Sequence, residues 1–167
     1  MDELGQSLIA DLRHRLVKGF PDQVRTALRA LSDEEIWARH HDQSNSVGNL
    51  VLHLCGSTRH FLGRGVGGSE YLRDRPGEFA ERGPLPREEL MRQLDSTVAE
   101  VERVMDGLSP SRLLEKTDRT GKPATVVELL LRVSHHWAMH TGQIVFDVKA
   151  RKPGAFDELW MKTMEKR

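Results

Sequence analysis

Apolar residues recur at steps of three and four along most of the chain, which is the spacing of one face of an α-helix. Leu8, Leu12, Leu16, Val24, Leu28 and Leu31 form the first such stripe. Gly19-Phe20-Pro21 falls inside it. A proline removes an interior hydrogen bond, so a kink or a break is predicted there. Ser32-Asp33-Glu34-Glu35 has the form of a capping box and predicts a short helix through Trp37. The polar run His40 to Ser44 reads as loop. A second long helix is predicted from a cap at Ser44 or Asn45, with the stripe Val47, Leu50, Val51, Leu54, Thr58, Phe61 and Leu62. Gly63-Arg64-Gly65-Val66-Gly67-Gly68 stops it. Residues 65–86 carry further proline and glycine and predict a long loop, which in a compact domain is either functional or disordered.

A third helix is predicted from Pro86 or Arg87, where Glu88 and Glu89 suit the positive end of the helix dipole. Its stripe is Leu90, Leu94, Val98, Val101, Met105 and Leu108, and Gly107 with Ser109-Pro110 ends it. A fourth follows Pro123 and runs to about Lys149, with Val126, Leu129, Leu130, Val133, Trp137, Ile144 and Val148 on one side. Pro153-Gly154 stops it, and a short amphipathic tail carries Phe156, Leu159 and Trp160. No segment reads as a strand. The pattern predicts an all-α protein: a four-helix bundle with a long loop between helices two and three, as one domain over residues 1–167.

Composition narrows the function. The chain has 167 residues with 25 basic and 25 acidic side chains, so its formal net charge is zero and the basic excess of a nucleic-acid binder is missing. Cys55 is the one cysteine, which excludes an internal disulfide and a cysteine-rich zinc cluster and suits a reducing compartment. The start lacks the basic head and apolar run of a signal peptide, and no apolar stretch approaches the ~20 residues of a membrane span. A soluble cytoplasmic protein with neither nucleic acid nor membrane as partner is expected. The glycines at 63–68 lack the lysine and preceding strand of a phosphate-binding loop and read as plain loop.

The eight histidines carry the candidate chemistry. On a helical wheel His140 falls in the apolar stripe of the fourth helix, His136 at its edge and His135 on the other side. His136 and His140 thus form an i, i+4 pair able to offer two imidazole nitrogens to one metal ion. A hydrogen-bonded structural pair is the alternative. Trp137 replaces the glutamate of an HExxH motif, so zincin-type peptidase chemistry is not expected. His53 borders the stripe of the second helix between Asn49 and Ser57. Three neutral imidazoles without a fourth protein ligand are the pattern of an open, catalytic type of site, and they do not choose among Zn, Ni, Fe and Mn. Asn49 and Gln143 are candidates to orient ligands or substrate. Asp147 is a candidate outer partner or base, or a solvated helix-end residue. His60 lies two turns from His53 on the same side, while His14, His40 and His41 read as solvent or loop residues. Arg59 and Arg64 either bind an anionic substrate or form a surface face. Cys55 diverges from His53 by roughly 200° on a helix and reads as a buried structural thiol.

Asn45-Ser46-Val47-Gly48-Asn49-Leu50-Val51-Leu52-His53-Leu54 resembles the second helix of the DinB/YfiT-like superfamily. Ser134-His135-His136-Trp137-Ala138-Met139-His140-Thr141-Gly142-Gln143-Ile144 resembles its fourth, and Asp74-Arg75-Pro76-Gly77-Glu78-Phe79 resembles an uncharacterised branch. The resemblance implies a left-handed-connected four-helix bundle holding a divalent metal, Zn or Ni ahead of Fe or Mn, on His53, His136 and His140. It also implies a homodimer, and a small-molecule substrate whose S-transfer or isomerisation uses a metal-activated low-molecular-weight thiol. Two alternatives stand beside that reading. One is a metal-dependent hydrolase with Asp147 as base; the other is a dimeric bundle in which the metal only pins two helices.

Overall fold

The computed structural model describes residues 2–83 and 85–164. The chain opens with α1 (Asp2–His14), passes through a wide π-helical turn at Arg15–Gly19, and continues as α2 (Phe20–Ala30). The predicted break is therefore a π-turn. The Phe20 amide donates to the Arg15 carbonyl, five residues back, so the extra residue widens the helix ahead of Pro21 instead of ending it. The Gln23 side-chain amide donates to the Gly19 carbonyl at 3.1 Å.

The Ser32/Glu35 capping box starts α3 (Asp33–Trp37). The cap of α4 (Val47–Thr58) is Ser46, one or two residues later than expected: its hydroxyl accepts from the Asn49 amide, and the Asn49 side chain reaches back to the Ser46 amide. A second π-turn, Arg59–Arg64, extends α4 up to Gly65. The segment expected to be loop contains α5 (Arg75–Ala80), which Asp74 caps by accepting from the Gly77 amide, with Pro76 in the first turn. Long α6 (Arg87–Asp106) and α7 (Val126–Arg151) follow, then α8 (Asp157–Met164). Contrary to expectation there is a strand pairing, though a minimal one: β1 (Lys116–Thr117) lies antiparallel to β2 (Ala124–Thr125). The Thr125/Glu128 capping box then turns the chain directly into α7.

Four long rods form the bundle. The α2 rod packs on α6 and α7, and so does the α4 rod. Their stripes meet in one core containing Leu16, Val24, Leu28, Leu54, Leu90, Leu94, Leu129, Leu130 and Trp137. Phe156, ahead of α8, is buried and stacks on Trp160. The short α5 lies against α4. No helix among the described residues is long and apolar enough to cross a membrane.

Candidate metal centre

His53 lies midway along α4, and His136 and His140 lie one turn apart on α7. Because α4 and α7 are neighbours in the bundle, the three rings converge. Their centroids are 4.7 Å apart for His53–His136, 5.1 Å for His53–His140 and 4.5 Å for His136–His140. One ring nitrogen of each lies within 4.8 Å of the others. Among the described residues this is the group of histidine, cysteine and carboxylate side chains placed to hold an ion. His53 is buried, and the other two are half-buried at the stripe edge, so His140 lies less deep than its place on the wheel suggests. They form one wall of an open cavity of about 460 Å³.

The outer nitrogens show how the rings are set. His53 Nδ1 lies 2.8 Å from Glu78 Oε2 on α5. Arg73 grips the same carboxylate through Nε to Oε1 at 2.7 Å and Nη2 to Oε2 at 2.8 Å, a bidentate pair. Arg73 Nη2 also lies 3.0 Å from His53 Nδ1. In the tautomer with Nδ1–H donating to Glu78, the His53 Nε2 lone pair faces inward, as in the carboxylate–histidine arrangement of metal sites. His140 Nδ1 bonds Gln143 Oε1 at 2.7 Å, which leaves its Nε2 for the centre. His136 Nε2 is 2.9 Å from His53 Nε2, so one proton lies between those atoms, and buried His136 Nδ1 has no partner among the described residues. An orphaned ring nitrogen and two facing nitrogens competing for one proton fit a cation-binding donor set.

Electrostatics support the same reading. Burial, then the neighbouring His140 and His53, pushes His136 down to about 3. Burial also lowers His140, against the Gln143 hydrogen bond. Both imidazoles are thus neutral near pH 7 and keep their lone pairs. Burial works to raise Glu78, but its hydrogen bonds to Arg73 and His53 outweigh this and leave it below the usual carboxylate range.

Gly56 makes room for that carboxylate. It lies one turn beyond His53, and a Cβ there would stand 2.8 Å from Glu78 Cδ. Asn49 does not touch the imidazoles. Its side-chain amide donates to the Glu78 and Glu81 carbonyls at 2.9 and 3.0 Å, tying the end of α5 to the start of α4.

The other sequence candidates are placed elsewhere. Asp147 is turned away from the cluster, bonding His40 Nε2 at 2.7 Å and pairing with Arg151, so it is neither an outer partner of His140 nor a base in the cavity. The i+7 spacing brings it to the right face but two turns along, where the α3–α4 connection meets it. His60 sits edge-on to Phe61 in the π-turn, outside the cluster. Arg59 pairs with Glu100, and Arg64 bonds the Arg119 carbonyl, so neither lines the cavity. His135 is exposed.

Cys55 is buried, and burial pushes its thiol up to about 11. A thiol reagent at pH 8 should leave it unlabelled in the native protein and label it fully in denaturant; rapid native labelling would show that it is accessible.

Sequence reasoning missed Glu78 and Arg73. The signal was Asp74-Arg75-Pro76, a capping residue two positions before a proline, which marks a helix start inside the apparent loop. Glu78→Gln should weaken binding of a divalent ion about 10–100-fold, the usual effect of losing such a partner. Calorimetric titration of zinc into metal-free protein reads this, and unchanged affinity would remove Glu78 from the site.

Helical rods with a three-histidine centre between the second and fourth define the class of protein. The family model of the DinB superfamily matches residues 17–144, and the chain belongs to that superfamily. A crystal structure of a DinB-like protein from Bacillus cereus ATCC 10987 is similar in fold, with a TM-score of 0.63 over 79% of this chain and 85% of that one at 13% identity. No curated protein matches the chain.

Proposed function

We propose that His53, His136 and His140 hold one divalent ion, and that the protein is a metal-dependent enzyme of the thiol-dependent S-transferase or isomerase type. The observation carrying this reading is the convergence of three imidazole nitrogens on the wall of an open cavity. An ion held by three imidazoles and open to solvent supplies Lewis-acid activation of a small nucleophile such as a thiol.

The protein's own residues prepare that site. Glu78 holds the His53 proton on Nδ1, Arg73 holds Glu78 ionised, and Gln143 holds His140 through Nδ1. Phe79 packs on the His53 ring at 4.6 Å and fixes its plane from the α5 side. Phe61 and Met139 line the same cavity beside the rings. The hydrolase alternative needs a carboxylate base in the cavity. Among the described residues Glu78 is committed to His53 and Arg73, and Asp147 to His40 and Arg151, which favours the thiol reading.

Elemental analysis of protein purified without a polyhistidine tag should give one divalent ion per chain. The metal-loaded protein should then consume a small electrophile in the presence of a low-molecular-weight thiol and lose that activity with a chelator. Stoichiometric metal with no turnover across thiol and electrophile panels, and a melting temperature lowered by chelator, would replace this reading with the purely structural one.

A further inference from the structure

Three guanidinium groups line the cavity beside the histidines: Arg73, Arg75 and Arg132. Arg73 is neutralised by Glu78 at 2.7 Å. The other two differ. Neither Arg75 nor Arg132 makes a salt bridge or a side-chain hydrogen bond among the described residues. Each lies instead over an aromatic ring, Arg75 at 5.2 Å from the Phe79 centroid and Arg132 at 5.1 Å from the Phe61 centroid. They come from opposite sides of the site, Arg75 from the first turn of α5 and Arg132 from α7, one turn before His136. Glu128, one turn before Arg132 on α7, is bonded to Thr125 in the capping box; the Arg132 charge helps to lower its carboxyl pKa, but the two make no salt bridge.

A guanidinium resting on an aromatic face keeps its planar fork of donors available and gives up less freedom when it binds. Several arginines elsewhere are paired with acids, Arg13 with Glu102 and Asp106, Arg25 with Asp22 and Asp95, Arg92 with Glu89; Arg29 and Arg103 make no salt bridge among the described residues either, but they lie away from the three-histidine cavity. Two arginines left with their donors free, in a cavity whose lining includes no carboxylate, concentrate positive charge there in a chain whose formal net charge is zero.

We infer that Arg75 and Arg132 form the recognition site for an oxyanion, a carboxylate or phosphate group, on the small molecule that enters the three-histidine cavity. This rests on the proposed function, since it names the substrate class of the same site. Substrate specificity then comes from charge-assisted hydrogen bonds at the rim, with the reacting end of the molecule directed toward the imidazoles.

Binding of three probes to the full-length, metal-free protein tests the inference: succinate, inorganic phosphate and the neutral analogue succinamide, followed by calorimetry or NMR. Succinate or phosphate should bind and succinamide should not; the tighter of the two anions identifies the group recognised. Arg75→Gln and Arg132→Gln should each weaken anion binding about tenfold, the scale of one lost charge-assisted bond, and together they should abolish saturation. Arg29→Gln, a change of equal charge away from this cavity, should leave binding unchanged. All three sites are exposed, so the variants should fold, as circular dichroism can confirm. Succinamide binding as tightly as succinate, or anion binding unaltered in the double variant, would overturn the inference. A parallel zinc titration separates this from the metal reading. Stoichiometric zinc with arginine-independent anion binding sinks only the recognition site; arginine-dependent anion binding without zinc sinks only the metal centre.

Discussion

His140→Ala protein, purified without a polyhistidine tag, should carry no stoichiometric divalent ion, whereas His135→Ala should carry as much as the parent. The two residues are five positions apart on α7, on different faces of the helix, and only His140 reaches the cluster, 5.1 Å from His53 and 4.5 Å from His136 between ring centroids. His135 is exposed and is absent from the cluster. Removing one of three imidazoles takes away a ligand itself, so affinity should fall by more than the ~10–100-fold that losing an outer partner costs. His140 is only half-buried, and its side chain bonds Gln143 alone among the described residues, so its loss should leave the bundle folded. Elemental analysis and zinc calorimetry give the result. Full occupancy in the His140 variant would remove it from the metal site; lost metal in the His135 variant would mean that α7 presents another face to α4.

Trp137→Ala should destabilise the protein by about 3–5 kcal/mol, the range for truncating a buried aromatic in a packed core. Trp137 is 1% exposed and lies between the two α7 histidines in sequence but on the core side of the helix. Its ring stacks toward Phe20 of α2 at 6.5 Å, and its indole N–H donates to Thr58 Oγ1 of α4 at 2.8 Å. One side chain thus joins three of the four rods. Trp137→Phe keeps most of the apolar surface but leaves the buried Thr58 hydroxyl without its donor, and should cost about 1–3 kcal/mol. Urea unfolding with an unchanged slope would measure both. Equal losses for the two variants would show that the hydrogen bond, and not the packing, dominates at this position.

Periodicity revealed the rods well because each is long and amphipathic: the stripes from Leu90 to Met105 and from Val126 to Val148 face the core as read. The glutamine after the HxxxH pair was legible too, since i, i+3 spacing puts Gln143 beside His140. Local features were harder. Two π-turns accommodate Pro21 and extend α4 past Thr58, and their five-residue hydrogen bonds have no distinct apolar period. α5 is one and a half turns long, too short for a stripe, and Pro76 and Gly77 made it read as loop. Asp147 shows the converse error, in which a helical wheel fixes direction around an axis but not which neighbour lies at that height.

The order and faces of the long helices, and the presence of two imidazoles one turn apart on a core-facing edge, follow from the amino-acid pattern alone, because helix geometry relates residues three and four apart without outside help. The distance between His53 and that pair, the Glu78–Arg73 support from α5, and the unpaired state of Arg75 and Arg132 are different in kind. They join residues tens of positions apart, and only the packing of α4, α5 and α7 against one another sets which side chains share a cavity and which carboxylate each guanidinium can reach.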